Sequence, residues 1–419
     1  MTAAPAPAGP ERARRERAEG DAVPTTVRDE RSVPVAIALP AELRPYAPSA
    51  ANWRPGCEVT VLREGGQTYA AMLAAIAAAT KTIVFEVYIL ASDHTGERFK
   101  TALIERARAG VSIRIIYDAL GSFGLSNAFV GELRDAGIQT IDYNPIAPWR
   151  RRWNLGHRDH RKILVIDDEI GFTGGLNIAN DYASVADGGA GWHDMHCGLR
   201  GPIVNDLARL FRRTWLRAGG DLYPAPPPAT TVTGIAGRAF VKLLANSKRR
   251  QRTSIRRAYL HVIRAAKTSI EIQNAYFLPD RGVRRALRGA VERGVTVRVV
   301  VPGRSDVKMV QFAGLYVYRL LVRWGVQILT WRGAMMHAKT AVVDKVWSTI
   351  GSYNFDAMSR FNNLEDTAEI LDETTGEEMA RQFETDVALC DAWTIETWKK
   401  LAWWKKAFAW VCFRLRRFL

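Results

Sequence analysis

The sequence predicts an α/β fold of two similar halves packed around one shared active site. Three observations carry that reading. A helix–strand–helix–strand order occurs twice, about 180 residues apart; the second helix of each set stops at a glycine; and one set of polar residues recurs at fixed offsets in both halves. In the first half, an Ala-rich helix over 68–79 leads into the apolar strand KTIVFEVYIL (81–90). A helix over 97–109 follows, ended by Gly110, and then the strand VSIRIIYD (111–118). In the second half, a helix over 254–266 leads into KTSIEIQNAYFL (267–278). A helix over 282–293 follows, ended by Gly294, and then VTVRVVVPG (295–303). Glycine just past a helix end is favoured because only it adopts the left-handed cap at no steric cost. Strands alternating with helices imply parallel pairing through helical crossovers, with both sheet faces covered. A repeat this long is a duplicated domain rather than a solenoid.

Composition bounds what such a chain does. Of its 419 residues 47% are apolar and 24% charged, which excludes a disordered or fibrous protein. Fifty-nine Lys and Arg against 43 Asp and Glu leave a net charge of +16, so a polyanionic partner is expected: nucleic acid or an anionic membrane. Cys57, Cys197, Cys390 and Cys412 are widely spaced and form no C-x-x-C pair. A disulfide framework or cysteine zinc site is not expected, and a reducing, cytosol-facing compartment is. The N-terminus has no apolar core of a signal peptide, and no stretch reaches the roughly 18–20 apolar residues of a membrane span. The nearest candidate, 65–80, reads as a buried helix.

Residues 1–40, rich in Ala, Pro, Arg and Glu, read as a disordered tail. The first domain then spans 41–220, a Pro-rich linker 221–231, and the second domain 232–392. The final segment, 393–419, is basic and Trp-rich and reads as an amphipathic helix lying on a membrane surface; the alternative is a helix docked on the domain by its Trp face.

The repeat is strongest where the chemistry is. HRKILVIDDEIGFTGGLN places His160, Lys162, Asp167, Gly174, Gly175 and Asn177 at the offsets that HAKTAVVDKVWSTIGSYN gives His337, Lys339, Asp344, Gly351, Ser352 and Asn354. Residues i and i+2 of a strand share a face, so each His projects with its Lys. The apolar run after them is a buried strand, Asp-Asp or Asp-Lys turns the chain, and a second strand ends at Gly-Gly or Gly-Ser. Asn177 and Asn354 are expected to open a helix whose N-terminus favours an anion. Imidazole, ammonium, amide and backbone N–H around one spot suit a phosphodiester. The cations and amides hold non-bridging oxygens, a neutral imidazole attacks phosphorus, and a second imidazole protonates the leaving alcohol. Neither half has both histidines, so the halves should share one site.

These motifs resemble the phospholipase D superfamily, whose signature is a duplicated H-x-K-x4-D followed by G-[GS]-x-N, and are most similar to bacterial cardiolipin synthases that lack N-terminal transmembrane helices. Further matching stretches are FEVYILASDHTGERF, YDALGS, GWHDMH, NAYFLPD and FNNLE, so the likeness covers about residues 50–390. The resemblance implies two phospholipase D-like α/β sandwich halves. It implies the catalytic set His160, Lys162, Asp167, His337, Lys339 and Asp344, with His160 as nucleophile and His337 as acid and base, an order the motif alone does not fix. Lys162, Lys339, Asn177, Asn354 and Ser352 would contact substrate, while Asp167 and Asp344 would order the hairpins. Asp194 and Glu365 would stand behind the histidines and set their tautomers. The implied reaction joins two phosphatidylglycerol molecules into cardiolipin and glycerol through a phosphohistidine, with no metal or cofactor. The implied partners are phosphatidylglycerol and an anionic membrane, with no nucleic acid, and the implied place is the cytoplasmic face of the cell membrane. A hydrolase releasing phosphatidic acid and a nuclease of the same superfamily use the same residues and remain alternatives.

Three other features carry weaker readings. His193 and His196 flank Asp194 and read as ordinary histidines rather than metal ligands. NSKRRQRTSIRR (246–257) is either a solvated loop or a phosphate-binding rim. Glu86, in mid-strand, needs a buried partner and is expected to line the site.

Overall fold

The computed structural model describes residues 39–145, 156–226, 236–246 and 254–417. The tail up to residue 38, residues 227–231 of the linker and the basic stretch 247–253 lie outside the described residues. The first half runs β1 (Arg54–Arg63), α1 (Glu64–Ala78), β2 (Thr82–Val87), α2 (His94–Arg108), β3 (Ser112–Asp118), α3 (Asn127–Asp135), β4 (Gln139–Tyr143), β5 (Ile163–Ile166), β6 (Ile170–Gly174), β7 (Met195–Arg200) and α4 (Ile203–Arg217). The second half repeats that order as β8 (Ala239–Asn246), α5 (Ser254–Ala265), β9 (Ser269–Asn274), α6 (Arg281–Glu292), β10 (Thr296–Pro302), α7 (Lys308–Val322), β11 (Gln327–Trp331), β12 (Lys339–Val343), β13 (Trp347–Gly351), α8 (Ala357–Phe361), β14 (Glu365–Leu371) and α9 (Glu373–Val387). It then adds β15 (Cys390–Trp393), α10 (Ile395–Lys400) and α11 (Trp403–Leu415).

All strands join in one sheet of order β15-β11-β10-β9-β12-β13-β14-β8-β1-β7-β6-β5-β2-β3-β4. Apart from β15, the order is a palindrome about the β8–β1 junction, so a pseudo-two-fold axis relates the halves. The sheet is mixed rather than parallel throughout. Helical crossovers make β2, β3 and β4 parallel, as they do β9, β10 and β11. The motif strands pair antiparallel, because turns of only three residues can join no other kind of neighbour. Side-chain alternation sends one face of each half to its own outer helices. The opposite faces meet α4 and α9 in a shared core containing Val61, Ile163, Leu207, Phe211, Ile350 and Phe383.

Local chemistry explains why the elements begin where they do. Asp93 caps α2 by accepting from Gly96 N at 3.0 Å, Ser126 caps α3 by accepting from Phe129 N at 3.1 Å, and Asp280 caps α6. The C-terminal segment departs from its expectation of one surface helix. Trp393 belongs to β15, and extended backbone at Leu401 and Ala402 divides the rest into α10 and α11. The last helix docks on α7 through buried Ala409 and Cys412, Phe408 against Phe312 and Phe413 against Tyr316. Its tryptophans do not make that contact: Trp403 is 79% exposed, Trp404 51% and Trp410 49%. The segment is therefore docked and still presents an aromatic, basic face to solvent.

A candidate active site shared by the two halves

Each motif histidine precedes an inner strand, and the chain around it is fixed by the opposite half. The His160 N–H donates to Leu364 O at 2.9 Å, and Leu364 N returns a bond to Arg158 O. Across the pseudo-two-fold, His337 N donates to His193 O at 2.7 Å and His193 N to Met335 O at 2.9 Å. These two parallel bridges clamp the histidine segments together.

The carboxylates cross over as well. His160 Nδ1 lies 3.0 Å from Glu365 Oε2, and His337 Nδ1 lies 2.7 Å from Asp194 Oδ2. Each histidine is thus held by an acid from the other half. Both bonds select the Nδ1–H tautomer, and among the described residues no hydrogen bond uses either Nε2. Gly-Gly and Gly-Ser in the two motifs are explained by the same acids. A Cβ at Gly175 would stand 2.0 Å from Asp194 Oδ1, so only glycine fits there. In the second half Ser352 Oγ donates to Glu365 Oε2 at 2.5 Å and accepts from Asp366 N at 3.1 Å. These bonds brace Glu365.

Lys162 and Lys339 are both buried beside the histidines. Lys162 Nζ donates to His160 O at 2.7 Å; Lys339 Nζ stands 2.6 Å from His337 Nδ1 and 3.6 Å from Asp194 Oδ2. Burial, with Lys339 nearby, brings Lys162 down to about 7. Burial likewise lowers Lys339, against the pull of Asp194. His160 lies below its ordinary value through burial despite Glu365, and burial together with Lys339 pushes His337 down to about 4. Burial alone would raise the two acids, yet Lys339 and His337 hold Asp194 low, and His160 and Ser352 hold Glu365 low. The resting cleft therefore offers neutral imidazoles on carboxylates, with cations whose charge a bound phosphodiester would favour.

Other expected residues fall elsewhere. Asp167 and Asp344 sit in the hairpin turns, at φ 54° and 53°, and their strands carry them about 20 Å from the histidine end. Asp167 accepts from the N–H groups of Thr80, Lys81 and Thr82 at 2.7–2.8 Å; Asp344 does so from Lys267, Thr268 and Ser269 at 2.8–2.9 Å. Those bonds hold both acids below the usual carboxylate range although burial opposes it. They fasten each hairpin to the start of β2 or β9. Asp344→Ala should leave three N–H groups without their acceptor, lower stability by about 1–3 kcal/mol and shift Tm down by several degrees. Differential scanning calorimetry would show an unchanged Tm if the turn were not anchored this way.

The asparagines also differ from expectation. Asn177 opens no helix: its Oδ1 accepts from Ile89 N at 3.1 Å and its Nδ2 donates to Tyr182 OH at 2.7 Å. That hydroxyl lies 3.4 Å from His337 Nδ1, so a chain of contacts runs from Asn177 through Tyr182 to His337. Asn354 precedes Asp356, the cap of short helix α8, and among the described residues its buried Oδ1 has no hydrogen-bond partner. Glu86 faces away from the cleft. It shares a face with Ile163 and Arg161 and approaches Arg161 at 3.5 Å in the core between the halves. A strand's alternation sends Arg161 there as surely as it sends His160 and Lys162 to the cleft. His193 is held between Glu64 and Asp386, each at 3.0 Å; although burial opposes the charge, these acids carry it up to about 9. His196 is a buried core histidine that burial pushes down to about 3. Among the described residues no group of His, Cys, Asp and Glu is arranged to hold a metal.

Sequence reasoning missed the aromatic wall and one positioning acid. Tyr88 packs against His160, and Tyr182, Trp192 and Tyr276 pack against His337, with ring centroids 5.0–6.2 Å apart. Asp118 accepts from Asp159 N at 2.8 Å and approaches Arg158 at 3.4 Å, which fixes the approach to His160. The stretches FEVYIL, YDALGS, GWHDMH and NAYFLPD contain Tyr88, Asp118, Trp192 and Tyr276, but within them only Glu86, His193, Asp194 and His196 carry a reading from sequence, and Tyr182 lies outside all four.

Known proteins are similar to this chain along most of its length. The family model for the cardiolipin synthase, phospholipase D-like domain matches residues 72–215 and 259–387. Cardiolipin synthase of Geobacillus kaustophilus is 34% identical over 333 residues, 78% of this chain and 66% of that protein. Cardiolipin synthase B of Salmonella typhimurium is 35% identical over 337 residues, 77% of this chain and 78% of that protein. The chain thus spans just under two thirds of the Geobacillus relative and more of the Salmonella one. Among solved structures, phosphatidylserine synthase of Haemophilus influenzae superposes with a TM-score of 0.67 over 86% of this chain and 95% of that one. At 12% identity that likeness is one of fold.

Proposed function

This chain belongs to the cardiolipin synthase family of phospholipase D-like domains, and on that premise we propose that it transfers a phosphatidyl group between two phosphatidylglycerol molecules. The observation that supports the reading is the crossed pair of histidine–carboxylate bonds, which leaves both Nε2 atoms without a hydrogen bond among the described residues. In the first step His160 Nε2 attacks phosphorus, the phosphorus–oxygen bond to the headgroup glycerol breaks, and His337 gives that oxygen its proton. Lys162 and Lys339 offset the charge on the phosphoryl oxygens. In the second step a hydroxyl of another phosphatidylglycerol attacks the phosphohistidine, His337 takes the proton, and cardiolipin leaves as the phosphorus–nitrogen bond breaks. The negative substrate counters the lysine charges that depress His337, so binding itself favours the protonated acid the first step needs.

We place the enzyme on the cytoplasmic face of the cell membrane as a peripheral protein. Among the described residues no helix is long and apolar enough to cross a bilayer, and all four cysteines are free thiols. Lys405 lies over the Trp404 ring and Arg414 over Trp410, a mixture suited to a headgroup boundary. Removing residues 398–419 would also uncover α7, so exposed side chains are the better probe. Trp403→Ser with Trp404→Ser should weaken binding to phosphatidylglycerol-containing vesicles about tenfold or more without lowering Tm. Unchanged vesicle sedimentation would make α11 a packing element only.

The reaction is tested by lipid mass spectrometry after purified protein meets phosphatidylglycerol vesicles without added metal. Cardiolipin and free glycerol appearing together support transfer. Phosphatidic acid without cardiolipin would make water the acceptor, and no lipid turnover would overturn the reading.

A further inference from the structure

Outside the catalytic cleft, α7, α10 and α11 border an open surface hollow of about 550 Å³ whose lining is cationic and aromatic. Arg319 comes from α7 and Arg323 caps its C-terminus, Trp398 and Lys399 come from α10, and Lys406 and Trp410 from α11. Among the described residues no acidic side chain lines it. Lys399 pairs with Glu396 at 2.7 Å, and Lys406 donates to the Lys399 carbonyl at 2.8 Å. Arg319 lies over the Trp398 ring, 5.3 Å from its centroid, and its buried Nε has no hydrogen-bond partner. Among the described residues neither Arg319, Arg323 nor Lys406 meets a carboxylate.

Three cations with no carboxylate partner among the described residues stand around one open hollow and repel one another weakly through solvent, and a buried guanidinium N–H without an acceptor adds a desolvation cost. An anion with several acceptor oxygens removes both penalties. Arginine suits phosphate because its planar donors match the oxygens in pairs. The volume exceeds that of a bare phosphate and falls within the range of small-ligand sites. Partly exposed Trp410 at the rim offers an apolar surface to whatever carries the phosphate.

We infer that this cavity binds the phosphate-bearing headgroup of an anionic phospholipid, as a second lipid site separate from the catalytic cleft. It rests on the membrane part of the proposed function and on none of its catalytic steps. Occupation would fasten α11 to the bilayer at a defined depth, where unspecific charge attraction sets none.

The test compares full-length Arg323→Gln/Lys406→Gln with Arg106→Gln/Arg108→Gln, which removes equal charge from α2. Each is measured by sedimentation with phosphatidylcholine vesicles containing phosphatidylglycerol, and by intrinsic tryptophan fluorescence titrated with glycerophosphoglycerol or inorganic phosphate. The cavity pair should lose about tenfold or more in vesicle affinity, on the scale expected for two headgroup-contacting cations, and the α2 pair less than twofold. Glycerophosphoglycerol should change the fluorescence of the wild type and not of the cavity pair. Equal losses in both pairs would mean diffuse charge attraction and overturn the site. A response to inorganic phosphate with vesicle binding unaltered in the cavity pair would assign the hollow to free phosphate and overturn the lipid assignment. Turnover of detergent-dispersed phosphatidylglycerol should be wild-type in both pairs. Absence of turnover in the wild type would count against the catalytic reading alone.

Discussion

His160→Ala and His337→Ala should each lower phosphatidyl transfer by about 10⁴-fold or more, while circular dichroism and Tm stay within a few degrees of wild type. The loss is large because the two imidazoles serve one substrate and neither half holds a spare. The variants then part company with an activated substrate. A phosphodiester whose leaving group needs no proton should restore the first step in the variant lacking the general acid and leave the variant lacking the nucleophile inert. Rescue of His337→Ala alone assigns the nucleophile to His160, and rescue of His160→Ala alone reverses the order. Near-wild-type turnover in either variant on phosphatidylglycerol would overturn the shared site.

Glu365→Gln and Asp194→Asn should each cost about 10²–10⁴-fold in kcat with smaller change in KM, since an amide can present the wrong partner to Nδ1 and turn the lone pair away from the substrate. Their pH profiles give a second readout that a packing role would not move. Glu365 raises the His160 pKa against burial. Its removal therefore lowers that pKa further, and the acid limb of kcat/KM, where the nucleophile becomes protonated, should move to lower pH. A lost rate with an unshifted limb would mean that Glu365 supports the fold without orienting the imidazole.

What the sequence shows and what it hides divide along chain separation. The strands and helices of both halves lie within a few residues of their expected ranges, because period and glycine stops are local signals. The motif histidines and lysines were legible for the same reason. Their carboxylate partners lie 205 and 143 residues away, so no spacing rule reveals that each acid crosses to the opposite histidine. Asn177 shows the limit from the other side. Its position in the motif was plain, but an amide carries donors and acceptors in every direction, and only the packed loop decides that Tyr182 and Ile89 consume them. Glu86 was rightly expected to need a buried partner. That Arg161 supplies it from the far face follows from the register of β2 against β5, which composition does not contain.

The crossed bonds also say what tethering the copies accomplishes. Two separate halves would have to meet before any site existed, and dilution would dissolve it; one chain keeps the partners at high effective concentration whatever the protein's abundance. A dimer of identical copies is further bound to place the same residue on both sides of its axis. A single chain carries no such obligation. Glycine can face Asp194 where serine braces Glu365, and a shorter acid can hold one imidazole where a longer one holds the other. That licence to diverge is what allows two once-equivalent histidines to take unequal shares of one reaction.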